Sequence, residues 1–131
     1  MIDVESKVFQ ACANAFRAAY PNGFIAGEYV PQPPKFPAAM VEVRSNTVER
    51  RAMDNGDIEN AVNVMVEVNV YSNLNTGKKA QAKAIAELLD DVLKARRFAR
   101  AFMNPVPNFN DATIYRVTAR YERLITDTEN I

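Results

Sequence analysis

The feature that most constrains the fold is the stretch of residues 62–70, in which every second residue is valine. Side chains of a β-strand point alternately to opposite faces, so this period of two places all five valines on one face. Burial of five valines stabilises a fold by roughly 8–15 kcal/mol before entropy. A slip of one residue in strand pairing would turn the whole valine face to water. The stretch therefore predicts a strand with one buried face, around which the fold is built.

Two other segments have the periodicity of amphipathic helices. In residues 3–20 the apolar side chains follow an i, i+4 row, and a Pro-Asn-Gly sequence ends the segment. In residues 78–97 isoleucine, leucine and valine recur at i, i+3, i+4 and i+7, with cations in the last turn, where they offset the helix dipole. We predict a helix in each segment. Asp90 and Asp91 are predicted to lie on a solvated face of the second helix.

Further strands are predicted from alternation and composition, at residues 24–30, 38–46 and 113–124. Four prolines between positions 31 and 37 exclude a central strand there and favour an extended surface crossing. The polar stretch 47–60 contains an Asn-Gly turn, which predicts a long hairpin whose return arm is the valine strand.

Residues 98–110, which include two prolines, are predicted to form a loop, and residues 126–131 a frayed tail. Consecutive hairpins combined with two helices indicate the α+β class. We therefore predict a single compact domain over residues 1–131, with an antiparallel sheet, two helices packed on one of its faces and a long hairpin.

Composition restricts the possible functions. The chain has no histidine, so the commonest general base and metal ligand is missing, as are serine–histidine and cysteine–histidine nucleophile pairs. The single cysteine, Cys12, excludes an intramolecular disulfide and a cysteine metal cluster; it lies on an apolar helix stripe and is predicted to be inert core. Sixteen basic residues balance sixteen acidic ones, without the basic excess typical of nucleic-acid binders. We predict no enzymatic activity and no cofactor.

The sequence predicts neither a membrane-spanning segment nor a signal peptide. Apolar stretches are interrupted by charges well before the length of a membrane span, and the N-terminus lacks the basic and apolar regions of a signal peptide. We therefore expect the chain to fold in a reducing cytoplasm.

Three charged clusters have alternative interpretations. Asp54, Asp57 and Glu59 have the oxygen ligands of a Mg²⁺ or Ca²⁺ site but not the EF-hand spacing, and a solvated hairpin tip explains them. The basic segment 94–100, with Phe98 inside it, is typical of a nucleic-acid contact, of a protein interface, or of a helix end followed by an aromatic residue that closes the core. We favour the helix end. The pair Asp90 and Asp91 is unsuited to catalysis, because adjacent helical residues point about 100° apart.

Half-polar strands leave sheet edges that can pair with another chain unless they are covered. This favours a symmetric oligomer. We predict an oligomer or partner interface on the polar faces of the strands and on the hairpin, with the candidate residues Arg50, Arg51, Asp54, Asp57, Glu59, Asn63, Glu67, Asn69, Arg116 and Arg120.

Several segments resemble, in the same order, the small tail-completion or tail-terminator proteins of long-tailed phages and prophages. They are Phe36-Pro37 before a strand, Val70-Tyr71-Ser72-Asn73, Gly77-Lys78-Lys79-Ala80, Phe98-Ala99-Arg100, Pro107-Asn108, Asp111-Ala112-Thr113-Ile114-Tyr115-Arg116 and Arg120-Tyr121. The resemblance covers most of the chain. The sequence departs from the family pattern at Arg97, where a glycine often precedes the aromatic residue.

The resemblance implies a compact α+β fold and a structural role in virion assembly. Members of the family assemble, usually as a hexameric ring, on the end of the tail tube, where the ring halts tube polymerisation and joins tail to head. The implied partners are further copies of the chain, the tail-tube protein and a head-completion protein. The implied location is the virion tail, after assembly in the cytoplasm of the host bacterium.

Alternative functions remain open from the sequence. Head-completion and tail-tube proteins share the size and assembly habit of the family. A nucleic-acid-binding module that uses residues 94–100 and a hydrolase with a carboxylate-bound metal are further alternatives. Neither a membrane nor a sequence-specific nucleic acid is expected as a partner.

Overall fold

The computed structural model describes residues 1–49, 61–107, 111–126 and 131. Their elements, in chain order, are α1 (Glu5–Ala19), β1 (Phe24–Ala26), β2 (Ala38–Val48), β3 (Val62–Ser72), α2 (Lys78–Ala95), β4 (Ala99–Val106) and β5 (Tyr115–Ile125). The strands form one sheet with the order β1-β2-β3-β5-β4. The predicted α+β domain is confirmed. No helix in the described ranges has the length and apolar character needed to cross a membrane.

The valine stripe lies at the centre of the sheet and faces the helices. β3 pairs antiparallel with β2 on one side and with β5 on the other. Its five valines are at most 2% exposed and share one core with apolar residues of both helices, among them Phe16 and Leu89. Cys12 lies fully buried in the same core, as predicted. The prediction of a valine face packed against two helices is confirmed.

The sheet is not wholly antiparallel, because β1 runs parallel to β2. The strand predicted at residues 24–30 ends at Ala26, after which the proline-rich segment crosses the surface. This segment returns the chain to the same end of the sheet, as a parallel connection requires. On the way, Val30 and Phe36 pack over Met40 and Tyr71, on the face of the sheet opposite the helices.

The loop predicted at residues 98–110 is wrong over most of its length, because Ala99–Val106 forms the edge strand β4. Pro105 misled the prediction. A proline cannot donate to a hydrogen-bond ladder, but it is tolerated on an edge strand with its nitrogen towards solvent. Residues 108–110 and the hairpin residues 50–60 lie outside the described ranges; the two arms of the predicted hairpin are β2 and β3.

Both uncovered edges of the sheet are interrupted. β1 covers only the first three residues of β2, and further along β2 the pairing with β3 shifts register at Arg44. At the other edge, the pairing of β4 with β5 shifts register at Ala101, and Pro105 follows. Such bulges bend a strand and break the repeat of free backbone groups, which protects an edge from pairing with another chain.

α2 ends in a Schellman motif with an arginine at the position usually taken by glycine. The N–H of Phe98 donates to the carbonyl of Leu93 at 3.0 Å, and the N–H of Arg97 donates to the carbonyl of Lys94 at 2.9 Å. Arg97 has a φ of 64°, in the left-handed region. Phe98 and Leu93 are both part of the main core. The interpretation of this segment as a helix end followed by a core-closing aromatic residue is confirmed.

Candidate functional site

The face of the sheet opposite the helices carries polar side chains on β3 and β5, and we call it the polar face. Alternation directs the valines of β3 to the helices and Asn63, Met65, Glu67 and Asn69 to the other side. The antiparallel register sets Asn69 opposite Thr118 and Glu67 opposite Arg120. Directly opposed side chains on one face lie close enough to interact, so this register decides which polar groups meet.

Asn69 is the centre of a hydrogen-bond network on the polar face. Its Oδ1 accepts from Nε and Nη2 of Arg116 at 3.1 and 2.9 Å and from Oγ1 of Thr118 at 2.6 Å. Its Nδ2 donates to Oε1 of Glu67 at 3.1 Å, and Oε2 of Glu67 forms an ion pair with Nη2 of Arg120 at 2.8 Å. We call these five residues the Asn69 network. It brings together four of the ten predicted site residues.

The Asn69 network contains one carboxylate, Glu67, and two guanidinium groups, those of Arg116 and Arg120. Burial alone would raise the pKa of Glu67, but hydrogen bonds from Arg120 and Asn69 and the nearby guanidinium charges outweigh burial and hold that pKa below its usual range. The guanidinium of Arg120 also lies 5.6 Å from the ring centre of Phe102. Nε of Arg120 is the one buried side-chain nitrogen or oxygen in the described ranges without a hydrogen-bond partner. The network thus ties β3 to β5 through side chains and leaves one buried donor, Nε of Arg120, unpaired.

The sequence predicted that β3 has one buried face, but the opposite face is also buried at two positions. Asn69 is 2% exposed, because its hydrogen-bond partners surround it, and Tyr71 is buried beneath the proline-rich segment. The guanidinium of Arg116 lies 5.5 Å from the ring centre of Tyr71. Thr118 and Tyr71 were not among the candidate residues. The alternation of β5 was visible in the sequence, but its register against β3 was not.

The other end of the polar face is accessible, and we call it the distal patch: Ser45, Thr47, Asn63, Met65 and Leu124. Asn63 is exposed and donates to Oε2 of Glu49 at 3.4 Å. Leu124, opposite Asn63 in the register, is 51% exposed. The predicted site residues Arg50, Arg51, Asp54, Asp57 and Glu59 lie outside the described ranges.

Asp90 is not on a solvated face, which corrects the prediction for this residue. It is 5% exposed and accepts hydrogen bonds from the hydroxyl of Tyr121 at 2.7 Å and from Arg100 at 3.3 Å. It also forms an ion pair with Nζ of Lys94 at 2.8 Å. Burial alone would raise the pKa of Asp90, but these hydrogen bonds and the charges of Lys94 and Arg100 hold it below its usual range. The carboxylate therefore ties α2 to β4 and β5. Asp91 is exposed, as predicted.

The acidic side chains of the described ranges are either dispersed or paired with cations. Among the residues that the structure describes, no three histidine, cysteine, aspartate or glutamate side chains lie close enough to hold a metal ion. The buried carboxylate of Asp90 and the half-buried carboxylate of Glu67 both have their charges paired.

Comparison with known families determines the class of protein. The model of the family described as "Tail completion protein gp17" matches residues 6–130. The chain belongs to this family. The match confirms the resemblance found in the sequence and makes the chain a structural component of the phage tail. A search of curated proteins found no match.

Proposed function

We propose that this tail completion protein caps the end of the tail tube as a homo-oligomeric ring, hexameric in stoichiometry, and joins the tail to the head. The observation that carries the proposal is the family match over residues 6–130. The partners are further copies of the chain, the tail-tube protein and a head-completion protein, and assembly takes place in the host bacterial cytoplasm.

The polar face is the surface that we propose for contact with a second copy or with the tube. Most polar groups of its Asn69 network are hydrogen-bonded to one another, so little side-chain ordering is required when a partner binds the face. A pre-organised surface of this kind binds at lower cost. The five predicted interface residues that lie in the described ranges then have two roles. Glu67, Asn69, Arg116 and Arg120 keep the surface rigid, and Asn63 belongs to the distal patch that makes the contact.

An apolar side chain in the distal patch gives a direct test of this contact. Leu124 is 51% exposed on the polar face, whereas Leu74, in the turn before α2, is 42% exposed and lies off that face. We expect Leu124→Ser to prevent ring formation and Leu74→Ser, a matched control, to leave it intact. Circular dichroism checks that both variants fold. Equal behaviour of the two folded variants would exclude the distal patch as the contact surface.

Electron microscopy of the purified full chain, with native mass spectrometry for stoichiometry, tests the ring itself. We expect closed rings of six subunits. A monomer that persists at tens of micromolar would overturn the oligomer, and open-ended tubes would indicate a tail-tube protein instead. Capping is tested by adding the protein to polymerising tail-tube protein. We expect tubes to stop growing, and unchanged growth in the presence of rings would overturn the capping role.

A further inference from the structure

Five cations meet at one corner of the domain, where α2 ends beside β4 and β5. We call Lys94, Arg96, Arg97, Arg100 and Arg123 the basic corner. In the part of the chain that the structure describes, the carboxylate paired with these cations is Asp90, at 2.8 Å from Lys94 and 3.3 Å from Arg100. Five positive charges against Asp90, Asp91 and Glu122, the acidic residues on the same stretches of α2 and β5, leave a local positive excess that the neutral chain as a whole does not have.

Two of these arginines bind backbone carbonyls. Nη1 of Arg123 donates to the carbonyl of Arg96 at 2.7 Å, and Nη1 of Arg96 donates to the carbonyl of Val92 at 3.4 Å. Carbonyls at a helix C-terminus carry partial negative charge, so they hold the guanidinium groups but offset only part of their charge. Burial lowers the pKa of Arg123, and the charge of Arg97 lowers it further. Arg97 and Arg123 therefore lie close enough for their charges to repel one another.

Arg97 is the unusual member of the basic corner. Its side chain is exposed, and it has no hydrogen bond or ion pair with any residue in the described ranges. Its left-handed backbone suits glycine, so an arginine at this position is strained. Strain of this kind concentrates at functional positions. An exposed, unpaired cation at a strained position indicates a binding role that the helix end does not require.

The nearby aromatic rings bear on the kind of partner. Single-stranded nucleic acids bind to basic grooves whose exposed aromatic rings stack on bases. Phe98 is 3% exposed, and Phe102 is only partly exposed and lies beneath Arg120. The basic corner therefore presents guanidinium groups without an exposed stacking platform. Guanidinium groups pair well with carboxylates, to which they donate two parallel hydrogen bonds.

We propose that the basic corner docks an acidic segment of a neighbouring protein, with Arg97 and Arg100 pairing with its carboxylates. The identity of the neighbour as a virion protein rests on the proposed function. The charge complementarity rests only on the described residues of the basic corner. Strand addition at β4 is not required, since the bulge at Ala101 and Pro105 interrupt that edge.

Fluorescence anisotropy with the full chain tests the proposal. The probes are a fluorescein-labelled peptide of alternating glutamate and serine, the same peptide with glutamine in place of glutamate, and a DNA duplex of about 20 base pairs, at about 50 mM salt. Arg97→Gly removes the cation and suits the left-handed backbone, so loss of folding does not confuse the result. Lys83→Ala is the matched control, because it removes an exposed cation from α2 away from the corner.

We expect the glutamate peptide to bind and the glutamine peptide not to bind. Arg97→Gly should weaken glutamate-peptide binding about two- to fivefold, as for the loss of one exposed ion pair, and Arg97→Gly combined with Arg100→Gln should weaken it further. Lys83→Ala should leave it unchanged. Absence of peptide binding, equal losses in Arg97→Gly and Lys83→Ala, or tighter binding of the duplex than of the peptide would each overturn the proposal.

The two proposals fail separately in these experiments. Rings in the electron microscope without peptide binding overturn the basic corner as a docking surface and leave the ring standing. Peptide binding without rings overturns the ring and leaves the basic corner standing as a docking surface.

Discussion

The strongest test of the Asn69 network compares two asparagines on the same strand and the same face. Asn69 is 2% exposed and makes four side-chain hydrogen bonds, whereas Asn63, six positions earlier in β3, is exposed. Asn63 makes one long hydrogen bond, to Glu49 at 3.4 Å. The variants Asn69→Ala and Asn63→Ala remove the same atoms from the same kind of backbone. The difference between them isolates the effect of the network.

The expected cost of Asn69→Ala follows from the groups that lose a partner. A hydrogen bond to a charged group contributes about 1.5–3 kcal/mol, and a buried hydroxyl left without a partner costs about 1–3 kcal/mol. Arg116 is partly exposed and can turn to water, whereas the hydroxyl of Thr118 is buried and cannot. We therefore expect Asn69→Ala to lower the free energy of unfolding by about 2–4 kcal/mol. Asn63→Ala should change it by less than about 0.5 kcal/mol.

Urea unfolding followed by far-ultraviolet circular dichroism measures both variants, since the chain has no tryptophan to serve as a fluorescence probe. The comparison requires similar slopes of free energy against urea, which indicate that the denatured states are alike. If the two variants lose stability equally, the Asn69 network does not stabilise the sheet.

Three further predictions concern single residues. Arg97→Gly should stabilise the protein by about 0.5–1 kcal/mol in urea unfolding, because relief of about 1–2 kcal/mol of left-handed strain exceeds the entropic cost of glycine; destabilisation would contradict this. Tyr121→Phe should destabilise at pH 7 by about 1.5–3 kcal/mol. The folded pKa of Asp90 lies below its ordinary value of 3.8, so its contribution is present above pH 3.8 and lost as pH falls through the folded pKa. The effect of Tyr121→Phe should therefore shrink progressively as pH falls below 3.8; unfolding at pH 7 and over a series of lower pH values tests this, and a constant difference would refute it. Cys12 should react with a maleimide at pH 8 only after unfolding, since burial raises its pKa to about 12; rapid labelling of the native protein would contradict the buried position.

The sequence predicted the elements whose signal is local and repeated. The valines of β3 alternate without interruption, and the apolar stripe of α2 keeps its spacing over several turns. Each pattern identifies both the element and its buried face, because burying that face is what stabilises it. The two helices, the valine strand and the hairpin arms were therefore predictable.

The features that sequence reasoning missed depend on contacts between distant parts of the chain. β4 was predicted to be a loop because Pro105 is compatible with a strand only at a sheet edge. The residues of β4 alone do not indicate that it lies at the edge of the sheet. Asp90 was assigned to solvent because its partner Tyr121 lies 31 positions away. Asn69 and Thr118 are 49 positions apart, so their contact required the register of two strands.

The interruptions at the two sheet edges have a consequence for growth by addition. A strand that pairs with an open edge presents a new open edge, so each copy added this way creates a site for the next. Bulges at Arg44 and Ala101, together with Pro105, remove the uniform ladder that such growth needs. The backbone of this protein therefore lacks the two open, regular edge strands through which successive copies would extend a continuous sheet. In the proposed ring, contacts between copies are left to side chains, and each copy meets two neighbours once the ring closes.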